Sequence, residues 1–183
     1  MTVQPHPSAD ADPASLAELA CERSNLYGFF AAVFSNEASD EMLELIKSPD
    51  FLEAFFDAGG QFDLEFLRRT NDQLREELAV EFSALFLGPG EHISPHESVQ
   101  SSSGGGRLWG PETSGVKNFI EAAGFEYKNS YTGLPDHIGV EFEFMEQITK
   151  QESEAWRKQD FEAAVNVLDI EQTFMKIHLA AWA

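Results

Sequence analysis

The chain has 183 residues, with 12 lysines and arginines against 32 aspartates and glutamates, for a formal charge of −20 with histidine neutral. That balance excludes a nucleic-acid binder working through a basic surface, because phosphate neutralisation needs clustered Lys and Arg. Hydrophobic residues make up 43% and aromatics 12%, which excludes a disordered acidic chain and supplies the core of one domain.

Cys21 is the single cysteine, so neither an intrachain disulfide nor a multi-thiolate metal site can form, and a cytoplasmic location is expected. No window approaches the ~20 apolar residues needed to span a bilayer; the densest, Leu26 to Phe34, is half that. The opening residues 1–14 lack a basic and an apolar region and are expected to form a disordered leader ahead of an all-helical domain over 15–183. The acidity also suits general solvation in a high-salt cytoplasm.

From Ser15, a candidate N-cap, Leu16, Leu19, Leu26, Tyr27, Phe30, Ala31 and Phe34 follow helical spacing and predict a long first helix. Asp40 to Ile46 reads as a short helix. Ser48-Pro49 supplies a cap and first-turn proline for another, ending at Gly59-Gly60. From Phe62 or Thr70 onward, Leu74, Leu78, Phe82 and Leu85 repeat helically until Gly88-Pro89. Gly88 to Pro111, rich in Gly, Ser and Pro, predicts a long exposed loop.

Thr113 or Ser114 opens a helix through Val116, Phe119, Ile120 and Ala123, with Gly124 just past its end. A second loop, Asn129 to Pro135, follows. Asp136 is placed to cap a helix running to about Arg157. Its first residues alternate like a strand, but Met145 and Ile148 continue on helical spacing, and helix is the reading taken. Asp160 to Ala183 predicts two helices, with Phe161, Ala164, Val165, Leu168, Phe174, Ile177 and Ala181 on one face. The fold class is all-α, a single-domain helical bundle.

Familiar catalytic patterns do not fit. His96-Glu97-Ser98-Val99-Gln100 falls one histidine short of a zincin motif. None of the five histidines has Glu three residues before it, as a di-iron bundle requires. Gly104-Gly105-Gly106-Arg107 lacks the Lys-Ser/Thr of a phosphate-binding loop. No cofactor and no metal ligands are assigned, and no enzymatic activity is expected.

Two stretches remain: Glu81 to Pro89, an aromatic helix end running into the long loop, and Pro135 to Met145 (PDHIGVEFEFM). Taken by residue type alone, Phe82, Leu85 and Phe86 also read as core and Asp136 as a simple cap. With Glu97-Ser98, the spaced Gly110, Thr113, Val116, Phe119 and Gly124-Phe125, and the terminal Phe174, His178, Leu179 and Trp182, these stretches resemble in order the TorD/DmsD/NarJ family of cytoplasmic chaperones for molybdoenzymes. Phe82 stands where relatives more often have Tyr or Trp, and Phe142 where Leu is commoner. Relatives also continue past the last motif, so the chain is expected to lack final helices. Phe174, Ile177 and Trp182 would then form an uncovered face, and a homodimer is one way to cover it.

The resemblance implies a helical chaperone without turnover, its partner the twin-arginine leader and apo form of a molybdenum-containing oxidoreductase, held until the cofactor is inserted and export begins. It implies that Phe82, Leu85, Phe86 and Pro89 line an apolar groove, with Pro135, Asp136, His137 and Glu141 at its polar edge. Glu141, one turn after His137, would fix the imidazole or share an arginine. The alternative is an acidic helical adaptor for another amphipathic partner segment.

Overall fold

A computed structural model describes residues 12–88, 92–101, 106–127 and 132–183. Its helices are α1 (Pro13–Ser35), α2 (Asp40–Ile46), α3 (Pro49–Asp57), α4 (Leu64–Arg68) and α5 (Asn71–Phe82), followed by a π-helical segment (Ser83–Leu87). Then come α6 (Glu97–Gln100), α7 (Pro111–Ala122), α8 (Ile138–Arg157), α9 (Phe161–Ile177) and α10 (Leu179–Trp182). Among the described residues there is no strand, only one isolated antiparallel bridge between His96 and His137. The fold is all-α, as expected. The chain divides into two compact units, Met1–Ser35 with Pro95–Ala183, and Asn36–Ser94.

In the first unit α1 lies along α8. A stripe of small residues on α1, Ala17, Ala20, Ser24, Gly28 and Ala31, lets the two backbones approach. Ser24 Oγ donates to the Glu146 carbonyl at 2.9 Å and Ser153 Oγ to the Ala17 carbonyl at 2.7 Å. This stripe corrects the predicted face: Leu19 and Leu26 are about half exposed, while Tyr27, Phe30 and Phe34 do turn inward around Phe142. The helix also starts two residues before Ser15, where Asp12 meets the N–H of Ala14. Residues 1–11 of the expected leader lie outside the described residues.

The main core joins α7, α8 and α9 through Val116, Ile120, Phe144, Met145, Ile148 and Phe174. α7 starts at Pro111, two residues before Thr113, and closes in a Schellman motif, Gly124 at φ +87° donating to Glu121 O and Phe125 to Ile120 O. α9 buries Ala164, Val167, Glu171 and Phe174, whereas Phe161, Val165 and Ile177 are about half exposed. The predicted face was therefore rotated. Phe174, expected on an uncovered face, is fully buried within this chain.

Across α1, α8 and α9 runs one charged contact. Arg23 donates through Nε and Nη2 to Glu171, at 3.2 Å each, and through Nη2 to Glu152, which also accepts from Trp156 Nε1 at 2.8 Å. Burial opposes the Arg23 charge, yet the two carboxylates hold the guanidinium above its ordinary value. Burial raises Glu171, and it pushes the neighbouring Tyr27 phenol up to about 12.

The second unit has a small core of Leu43, Ile46 and Leu74. α2 and α3 start as the sequence predicts, with Ser39 capping the one and Ser48-Pro49 opening the other, whereas the stretch read as one helix from Phe62 or Thr70 is two, α4 and then α5, which Thr70 and Gln73 open with a capping box. Phe51, Phe55, Phe62 and Phe66 stack in series with centroids 6.0, 4.6 and 5.1 Å apart. Arg75 holds Asp40 at 2.7 Å, tying α5 to α2.

The predicted loop from Gly88 to Pro111 is not one uninterrupted loop. Its residues 89–91 and 102–105 lie outside the described residues, and between them α6 forms a helical turn with Glu97 and Ser98 buried.

Candidate functional site

Two segments of the first unit meet at the start of α8. His137 pairs with His96 across the isolated bridge. Glu97 N donates to Asp136 O at 3.0 Å, and Ile138 N to Pro95 O at 2.8 Å. The Asp136 carboxylate, fully buried, accepts the Ser98 N–H at 2.9 Å and so caps α6 from outside that helix.

Asp136 is therefore not the cap of α8, as the sequence predicts. That place belongs to His137, whose Nδ1 accepts from Gly139 N at 3.0 Å, which leaves any proton of the neutral ring on Nε2. The His96 and His137 rings meet edge-on at 5.0 Å. Burial lowers His96. Burial and the neighbouring His96 depress His137 to about 4. Both rings are neutral at physiological pH.

Below this turn lies a buried polar knot. Glu141, one turn into α8 and fully buried, accepts from Trp182 Nε1 at 3.2 Å, rather than reaching the His137 ring. Glu97 pairs with His178 Nδ1 at 2.8 Å. Burial, then the nearby Glu97 and Asp136 carboxylates, push Glu141 up to about 9, so it is neutral at physiological pH. Asp136 Oδ1, Glu141 Oε1, Ser98 Oγ and Thr113 Oγ1 are buried without a hydrogen-bond partner.

The apolar half of the predicted site lies in the second unit. Phe82 and Phe86 are half-buried, their rings edge-on at 5.1 Å. Leu85 and Leu87 are 43% and 69% exposed, and Ile93 N donates to Leu85 O at 2.7 Å. Widening to the π-helical pitch over 83–87 is a frequent mark of functional segments. Pro89 lies outside the described residues. Pro135, Asp136, His137 and Glu141 are brought together in the first unit, and Phe82, Leu85 and Phe86 in the second.

Sequence reasoning left His96, Glu97, Ser98, His178 and Trp182 outside the site. The signal for four of them was present in the motifs Glu97-Ser98 and Phe174-x-x-x-His178-Leu179-x-x-Trp182. Nothing local marks His96, whose pairing spans 41 positions.

This architecture defines an all-helical acidic protein that presents an apolar helix end in one unit and a turn held on a buried polar knot in the other. The nitrate reductase delta subunit family matches residues 48–183, and the chain belongs to that family, the NarJ/TorD type of redox-enzyme maturation chaperones. Its members are cytoplasmic chaperones; among the described residues no helix is long and apolar enough to cross a membrane. A crystal structure from Archaeoglobus fulgidus, titled as a redox enzyme maturation protein, is similar at 17% identity and TM-score 0.48, over 94% of this chain and 96% of that one. No curated protein matches the chain.

Proposed function

We propose that this chaperone binds the twin-arginine leader of an apo-molybdoenzyme in the cytoplasm and assists cofactor insertion and folding before export. The observation that carries the reading is the end of α5, where exposed Val80, Leu85 and Leu87 adjoin exposed Glu76, Glu77 and Glu81. A leader combines two arginines with an apolar stretch, and such a surface complements both. Half-buried Phe82 and Phe86 complete this apolar helix end, and the proposal extends to Pro89, which lies outside the described residues. The turn of the first unit is proposed to contribute separately, through half-buried Pro135 and His137, with Asp136 and Glu141 buried beneath them as its support.

Calorimetric titration with three peptides tests this: a twin-arginine leader, the same leader with both arginines replaced by lysine, and a scrambled leader of equal composition. Tight binding of the first, weaker binding of the second and none of the third is expected. Equal binding of all three would show a non-specific acidic surface and overturn the reading.

A further inference from the structure

The turn Leu134–His137 has little of its own to hold it, since residues 132–137 contain no helix. It is held from two sides. Backbone pairing joins it to Pro95–Ser98, and beneath that pairing Glu97 and Glu141 turn into the knot, where they meet the last residues of the fold. His178 Nδ1 takes Glu97 at 2.8 Å and Trp182 Nε1 takes Glu141 at 3.2 Å.

The chemistry of that meeting is restrictive. Two buried carboxyls, Glu97 on α6 and Glu141 on α8, meet one imidazole and one indole N–H, and a third, Asp136 on the turn, takes the Ser98 N–H. Thr113 of α7 is also buried, and Gly115 lies near His178, its Cβ position 3.4 Å from the ring, while Glu112 sits at the first turn of α7 beside Ser101. Glu97 and Glu141 are close neighbours in the knot, and the Glu97 carboxyl adds to the burial that raises Glu141. Of two such buried carboxyls, one keeps its proton. Two links, Trp182 to Glu141 and His178 to Glu97, therefore stand side by side around a protonated Glu141.

We propose that His178 and Trp182 are positioning residues: acting through Glu97 and Glu141, they latch the C-terminal segment onto the turn that carries Pro135, Asp136 and His137. The latch rests on the leader-binding reading for its purpose, but not for its existence. Without the imidazole, Glu97 is a buried carboxyl that has lost its hydrogen-bond partner, and α6 loosens from the turn. Without the indole N–H, Glu141 loses the donor that eases its ionisation.

Amide hydrogen exchange on the full chain tests the latch directly, because the N–H groups of Glu97, Ser98 and Ile138 report the pairing of the two segments. In His178→Leu their exchange is expected to quicken by about tenfold or more, the core amides of α8 and α9 changing little. His178→Gln, which keeps a donor, should restore most of the protection. Trp182→Phe serves as a second variant should His178→Leu fail to fold, with quickened exchange at the same three amides. In the parent, carboxyl resonances followed by NMR should show one glutamate ionising far above the usual range. That midpoint should move higher in Trp182→Phe and be absent in Glu141→Gln.

Unchanged exchange at the three amides in the folded variants, or an alkaline glutamate transition that survives Glu141→Gln, would overturn the latch. Leader titration is the second arm: a parent that binds and a His178→Leu variant that binds equally well would remove the positioning role. A parent that binds no leader would remove the proposed function while the exchange result still decides the latch.

Discussion

Asp136 Oδ2 accepts the backbone N–H of Ser98 at 2.9 Å, bridging 38 positions of sequence with both residues fully buried. One side chain thus caps a four-residue helix that propensity alone would not sustain. Asp136→Ala should lower stability by roughly 2 kcal/mol, as expected when a buried N–H is left without its acceptor. Asp136→Asn keeps an acceptor and should cost less. Urea unfolding followed by circular dichroism gives both numbers, and equal stability of Asp136→Ala and the parent would contradict the cap.

Glu141 and His137 change stability with pH in opposite directions. A carboxyl raised from 4.5 to about 9 holds its proton in the folded chain after the unfolded chain has lost it. Between those values the unfolded state binds fewer protons, so the Glu141 contribution falls as pH rises and is gone above about 9. His137 works oppositely. Depressed from 6.5 to about 4, it contributes stability above 6.5 that is lost as pH falls through about 4. Thermal melts across pH should therefore show Glu141→Gln flattening the decline above 6.5 and steepening the rise between 4.5 and 6.5, where the Glu141 slope no longer offsets that of His137.

Gly139 marks a close approach in the first turn of α8. A Cβ there would collide with Ser35 Oγ at the end of α1. Alanine ordinarily favours a helix over glycine by about 1 kcal/mol, and here the sign should reverse. Gly139→Ala is expected to lower the melting temperature, and Ser35→Ala, which removes the colliding oxygen, should recover part of the loss. A stabilising Gly139→Ala would show that the two helix ends stand further apart.

Arg23 serves two buried carboxylates at once. Arg23→Met should cost roughly 2–3 kcal/mol, below the range for fully buried pairs because its side chain keeps 36% exposure. Adding Glu171→Gln to Arg23→Met should restore much of it by removing the stranded charge. Denaturant unfolding of the two variants measures the recovery.

Helix identity was legible in the sequence wherever the signal is local. Ser48-Pro49 opens α3 and Gly124 ends α7 as predicted. What local pattern misses is the partner. Leu19 and Leu26 look like core until the small-residue stripe on α1 shows that its contact with α8 runs through Ala17, Ala20 and Ser24. Asp136 has the chemistry of a cap and is one, but for α6 rather than its own helix. The candidate site was half legible for the same reason: its motif residues were visible one by one, whereas the pairing of Glu97 with His178 needs the chain to be folded.

Leu85 offers the cleanest test of the apolar half of the proposed site. At 43% exposure its truncation should leave the fold intact, whereas Phe86, edge-on to Phe82 at 5.1 Å, contributes to packing as well. If Leu85 is an anchor for the apolar stretch of a leader, Leu85→Ala should weaken binding by about 2 kcal/mol, about thirtyfold. Circular dichroism should match the parent. Phe86→Ala should weaken binding comparably but with some loss of stability, and circular dichroism on that variant separates the two effects. Calorimetry at two salt concentrations then divides the binding energy. Contacts between leader arginines and exposed Glu77 or Glu81 should fade as the Debye length shrinks to ~3 Å at 1 M salt, while the Leu85 contribution persists. If Leu85→Ala and Phe86→Ala both stay folded and bind the leader as tightly as the parent at either salt concentration, the end of α5 is not the binding surface.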